Sequence, residues 1–151
     1  MLEGNIVQET NILQDINFSH QEETIPVQFP KGIPGFEEYD LFSMRMEENS
    51  PLAHLMVEDD EECGFLLMQP QALFKEYGST INLDDDAAFL LDLNEGEEVD
   101  MWVIITLGEK DIRESTANLR APLLINRRTH KGVQMIIDND ELKSKQPLFL
   151  Q

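Results

Sequence analysis

Basic side chains are scarce in this chain: 11 Lys and Arg stand against 30 Asp and Glu, a formal net charge of −19. That balance disfavours nucleic acid as a direct partner, because its binding requires phosphates neutralised by Lys and Arg. Anionic membrane surfaces are disfavoured for the same reason. Cysteine is nearly absent. The one thiol, Cys63, has no partner for an internal disulfide, so a reducing, cytoplasmic location is expected. No stretch approaches the roughly 18 consecutive apolar residues of a membrane span. The first residues lack the basic region and apolar core of a secretion signal.

Catalytic and metal signatures are missing as well. There is no GxSxG or HExxH, and His20, His54 and His130 lie too far apart in sequence for a zinc pattern. His54 alternates with apolar neighbours in LAHLMV and reads as a sheet histidine. Cys63 sits in EECGF among carboxylates, surroundings that do not favour a thiolate nucleophile. The segment DLNEGEE (Asp92 to Glu98) resembles a calcium loop only in Asp92, Asn94 and Gly96, and it lacks the distal bidentate Glu. No catalytic residue, cofactor or metal is expected. Acid–base chemistry stays formally open with so many carboxylates, but none is singled out.

What is present is a foldable chain. With 41% hydrophobic residues it is too apolar for a disordered acidic tail. At 151 residues it is one domain able to bury roughly 70% of its unfolded surface. The charge is uneven along the chain: residues 1–109 carry three basic against 25 acidic side chains, a net of −22, whereas residues 110–151 carry a net of +3. A field of one sign recruits partners of the other, so basic proteins are the expected partners.

Short β-rich runs dominate the pattern. A loose start over residues 1–11 precedes a strand near Ile12 to Phe18, and TIPVQF follows from Thr24. FPKGIPGFEEYD packs Pro30, Gly32, Pro34 and Gly35 into a rigid connection. Strands are predicted at 40–47, 52–58 and 64–68, and EVDMWVIITL is the strongest of all, apolar on both faces toward its end. IRESTANLRAPLLIN and GVQMIID add further β signal. Two short helices are expected: one over Gln69 to Tyr77, and one in LDDDAAFLLDL, where Asp84 to Asp86 suit a helix start. The expected architecture is a single-domain, mainly antiparallel β fold, a small barrel with two short helices.

Two charged stretches stand out. Glu58, Asp59, Asp60, Glu61 and Glu62 fall between two strands and read as a solvated hairpin tip, or as a docking surface for a basic partner. RAPLLINRRTHKG concentrates Arg120, Arg127, Arg128 and Lys131 with His130, and reads as a charged turn beside an apolar strand. No aromatic platform for RNA lies nearby. The residues alone thus leave open an acidic protein-binding module, or a calcium-binding module that meets a basic protein.

Three segments in order sharpen this. FPKGIPGFEEYDLF (Phe29 to Phe42), TANLRAPLLIN (Thr116 to Asn126) and QPLF (Gln146 to Phe149) together resemble the flagellar assembly factor FliW family over about residues 12–150. Gln146 replaces the family's usual His. The resemblance implies a cytoplasmic, non-enzymatic, β-barrel-like adaptor. FliW-like proteins bind CsrA, a basic translational repressor, and antagonise it allosterically; flagellin competes for the adaptor in a partner switch. On that basis Glu47, Glu48 and Glu58 to Glu62 are expected to face CsrA. Leu123, Ile125, Asn126, Arg127 and Arg128 are expected to meet flagellin, provided that Leu123 to Asn126 forms an exposed edge strand.

Overall fold

The computed structural model describes residues 22–78 and 81–149, apart from the side chain of Glu61. The strand expected near Ile12 to Phe18 and the loose start over 1–11 lie outside the described residues. The described residues form nine strands in order: β1 (Glu22–Gln28), β2 (Leu41–Glu47), β3 (Leu52–Val57), β4 (Asp60–Met68), β5 (Asp100–Thr106), β6 (Thr116–Ala117), β7 (Leu123–Asn126), β8 (Lys131–Gln134) and β9 (Gln146–Pro147). One α-helix, α1 (Asp85–Leu90), lies between β4 and β5.

Seven of the strands close on themselves. The order runs β5-β4-β3-β2-β1-β8-β7, and β7 returns to β5 through Asp100↔Ile125 and Trp102↔Leu123. β6 continues the sheet from the far end of β5, with β9 beyond it. The described pairings are antiparallel except β1 with β8, which meet in parallel at Gln28↔Lys131. The mainly β, small-barrel expectation is met; the parallel seam is the departure from a wholly antiparallel sheet.

Period-two alternation builds the barrel interior. Phe42, Met44 and Met46 of β2 and Ala53, Leu55 and Val57 of β3 are buried, whereas Leu41, Leu52 and His54 between them are exposed. Each large inward side chain contributes about 1.5–3 kcal/mol by leaving water. β5 is apolar on both faces because it has something to cover on each. Trp102 and Ile104 pack into the barrel, while Val103 and Ile105 pack outside it with Met68, Tyr77, Ala117 and Leu119.

The segment between β1 and β2 is rigid for a visible reason. Gly32 and Gly35 take φ of 68° and 88°, the left-handed region that favours glycine. Phe29 packs edge-on to Phe42 at 5.5 Å and Phe36 to Phe65 at 4.8 Å, so the connection is anchored at its start and again within its length.

Helix α1 starts as the sequence indicates: the Asp84 carboxylate accepts the Ala87 N–H at 2.7 Å. Gln69 to Tyr77 does not form the expected helix. Only a 3-10 turn, Pro70–Ala72, appears there, and the Tyr77 hydroxyl is instead drawn to the Leu119 carbonyl. Burial of that phenol raises its pKa. Local propensity loses here to a tertiary hydrogen bond.

Candidate functional site

The candidate acidic residues fall at two places on the barrel. Glu58 and Asp59 form the tip of the β3–β4 hairpin, and Asp60 and Glu62 follow on β4. The pairing there slips: Val57 faces Asp60 but Met56 faces Gly64, which leaves residues 61–63 without counterparts and bulges the acidic run outward. Ser43 donates to the Glu58 carboxylate at 2.8 Å, and the Glu62 N–H donates to Asp60 at 3.1 Å. The β1–β2 connection brings Glu38 to the same end. Its charge, with smaller effects of burial, Cys63 and Asp60, raises the pKa of the Tyr39 phenol.

Glu47 and Glu48 lie elsewhere. Glu47 ends β2 and Glu48 follows it, separated from the tip by the six residues of β3, about 20 Å at roughly 3.3 Å per residue. The single acidic surface expected from Glu47, Glu48 and the 58–62 run is therefore two surfaces. At the Glu47 end an open cleft of about 570 Å³ is lined by Glu22, Glu23, Glu47, Glu48, Trp102 and Arg127, among others.

The expected flagellin-facing strand also needs correction. Leu123, Leu124, Ile125 and Asn126 are all buried, because β7 is an inner strand of the closed barrel, paired with β5 on one side and β8 on the other. Leu123 and Ile125 belong to the barrel core. No partner reaches them in the closed barrel. Asn126 is a structural clasp: its amide donates to the Leu91 carbonyl at 2.9 Å and its oxygen accepts the Arg128 N–H at 3.0 Å. Thr129 donates to the same Leu91 carbonyl at 2.9 Å.

The basic knot is occupied internally. Arg127 pairs with Asp100 at 2.7 Å and reaches Glu23 at 3.4 Å. Arg128 pairs with Glu97 at 2.9 Å and donates to the Asp92 carbonyl at 2.7 Å. Its side-chain hydrogen bond, with help from the Asn94 N–H, holds the Glu97 carboxyl down at about 2, so the clasp stays ionised at neutral pH. These arginines are not free cations for a partner: Arg127 ties the β7–β8 turn to β5 and β1, and Arg128 ties it to the loop before β5. Asp92 and Glu97 of the DLNEGEE segment are thus both used in structural contacts.

Among the described residues, no group of three or more His, Cys, Asp and Glu is arranged to hold a metal ion. No described helix is long and apolar enough to cross a membrane. The other sequence motifs also do structural work. The Asn118 side chain accepts the N–H groups of Arg120 and Ala121, both at 3.1 Å, which sets the turn into β7.

These features define a class: a small closed β-barrel with carboxylates gathered at its two ends. The FliW protein family model matches residues 8–148. Among similar proteins, the flagellar assembly factor FliW of Syntrophomonas wolfei is 36% identical over 141 residues, covering 93% of this chain and 86% of that protein. The flagellar assembly factor FliW of Bacillus subtilis is 33% identical over 129 residues, covering 85% and 87% respectively. A crystal structure of the flagellar assembly factor FliW superposes with a TM-score of 0.73 at 33% identity, covering 83% of this chain and 86% of that one. The chain belongs to the FliW family of flagellar assembly factors.

Proposed function

We propose that this protein is a non-enzymatic, cytoplasmic adaptor that binds the basic translational regulator CsrA, antagonises it allosterically, and releases it when flagellin takes its place. The observation that carries this reading is the acidic hairpin tip. Glu58, Asp59, Asp60 and Glu62 project from a bulge, and the described structure gives them no basic side chain as a partner. A carboxylate cluster without counter-charge is suited to steering a basic dimer, where complementary charge acts on association rate and partner choice more than on affinity. Glu61 belongs to the same run in sequence.

Flagellin calls for apolar surface, and Leu123 and Ile125 do not supply it. Among the described residues the most exposed large apolar side chains are Phe89 at 83% and Ile136 at 75%. These two take over the role first given to β7 as the apolar contacts for flagellin.

The reading is tested by stopped-flow association with purified CsrA. Replacing Glu58 and Glu62 by Gln and Asp59 and Asp60 by Asn should slow association about tenfold at low salt and flatten its salt dependence. An unchanged rate and an unchanged salt slope would remove the tip from the CsrA-facing surface.

A further inference from the structure

The cleft at the Glu47 end of the barrel combines features that packing does not explain. Glu22 and Glu47 are direct cross-strand partners in the β1–β2 pairing, two like charges placed face to face. Such a pair destabilises a sheet. Glu48 follows at once, and among the described residues none of Glu22, Glu47 and Glu48 has a basic partner. Arg127, the basic residue lining the cleft, is committed to Asp100 and Glu23. Arg45, also on β2, borders a smaller hollow with Glu22, Glu47 and His54 without a described ion pair.

A second observation is independent of charge. Trp102 lines the cleft and is 2% exposed, yet its indole N–H has no acceptor among the described residues. Nearly every buried N–H in a folded protein is paired, and an unpaired one costs on the order of 1–3 kcal/mol. Met46 and Pro51 add apolar wall, and Gln69 adds a polar group. The volume of about 570 Å³ falls within the roughly 300–1,000 Å³ of ligand sites.

The occupant that fits has a cationic head, an apolar stem and a hydrogen-bond acceptor. A metal ion is not that occupant, since the described carboxylates form no metal-holding group. Guanidinium matches better than ammonium, because its planar fork meets several carboxylates at once. We propose that the barrel mouth is a docking site for one arginine side chain on an extended peptide segment of a partner. Its guanidinium lies among Glu22, Glu47 and Glu48, and a backbone carbonyl of the segment accepts the Trp102 indole N–H. The site relieves the Glu22–Glu47 repulsion and completes the buried N–H in one binding event. This deepens the adaptor reading and rests on it, while standing apart from the hairpin tip.

Trp102 is the chain's one tryptophan, so a nitrogen-15 spectrum of the full chain carries a single indole N–H signal. Titration with acetyl-Gly-Arg-Gly-amide should shift that signal saturably. Acetyl-Gly-Lys-Gly-amide should bind more weakly, and acetyl-Gly-Glu-Gly-amide not at all. Affinity for the arginine peptide should fall about tenfold when salt is raised from about 0.1 M to about 1 M. It should fall by a similar factor in the Glu47→Gln/Glu48→Gln variant, whose altered side chains are exposed and outside the core. An indole signal that ignores the arginine peptide, or responds equally to the glutamate peptide, overturns the proposal. A chain that binds CsrA with an unresponsive indole keeps the adaptor reading and loses the docking site; a responsive indole without CsrA binding does the reverse.

Discussion

Ile125→Asp is expected to abolish the folded barrel rather than one contact. Ile125 is 1% exposed and belongs to the barrel core, while its backbone lies between Asp100 of β5 and Gly132 of β8. A carboxylate there meets no cation, and burying it unpaired costs several kcal/mol in addition to the lost apolar burial. Domains of this size are stable by about 5–15 kcal/mol, so the substitution removes most or all of the margin. Circular dichroism and urea titration should show loss of the cooperative transition, with every binding activity lost together. A variant that melts like the parent but loses one partner selectively would mean that β7 is a contact surface after all.

Gly64→Ala is expected to be nearly as damaging for a different reason. A Cβ at Gly64 would stand 2.1 Å from the Leu55 carbonyl oxygen and 2.9 Å from the Met56 Cα, both backbone atoms that cannot swing aside. The residue resumes the β3–β4 register after the bulge, so the added methyl must push the two strands apart at their junction. Overpacking of this kind costs typically 1–3 kcal/mol, and with backbone on the receiving side we expect about 3 kcal/mol. Urea unfolding should show a lower midpoint at unchanged slope, and because the bulge presents the acidic tip, CsrA association should slow as well. Parent-like stability would mean that the strands already have room for a Cβ.

The barrel strands were legible because they alternate at period two: buried Phe42, Met44 and Met46 are separated by Ser43 and Arg45, and buried Ala53, Leu55 and Val57 by His54 and the half-buried Met56. Helix α1 was legible for the same local reason, its Asp84 cap being written beside it. Which strands close the barrel was not legible. Whether LLIN is an edge or an inner strand depends on β5 and β8 arriving on either side, a long-range fact that these four residues do not encode. Its all-buried character has a trace in the sequence, a continuous apolar run without alternation, which is the mark of a strand covered on both faces.

Charge misled in both directions for a related reason. Glu47 and Glu48 are close in sequence to the acidic run but a strand's length from it in space, because a β-strand carries the chain straight away. Arg127 and Arg128 looked like a partner's target but meet Asp100 and Glu97, which lie about thirty residues upstream. The cleft around Trp102 had no sequence signal beyond a lone tryptophan in a strong strand, since its walls come from β1, β2, β5 and the loops between strands. The family motifs were legible but for fold rather than contact: Asn118 and Asn126 build a turn and a clasp.

The most direct test of the account is displacement. A preformed complex of this protein with purified CsrA is titrated with monomeric flagellin and followed by size-exclusion chromatography with light scattering. Flagellin should release CsrA in proportion to the flagellin added, and the starting complex should weaken steeply with salt. A stable assembly of all three proteins, or no CsrA complex at low salt, would contradict it.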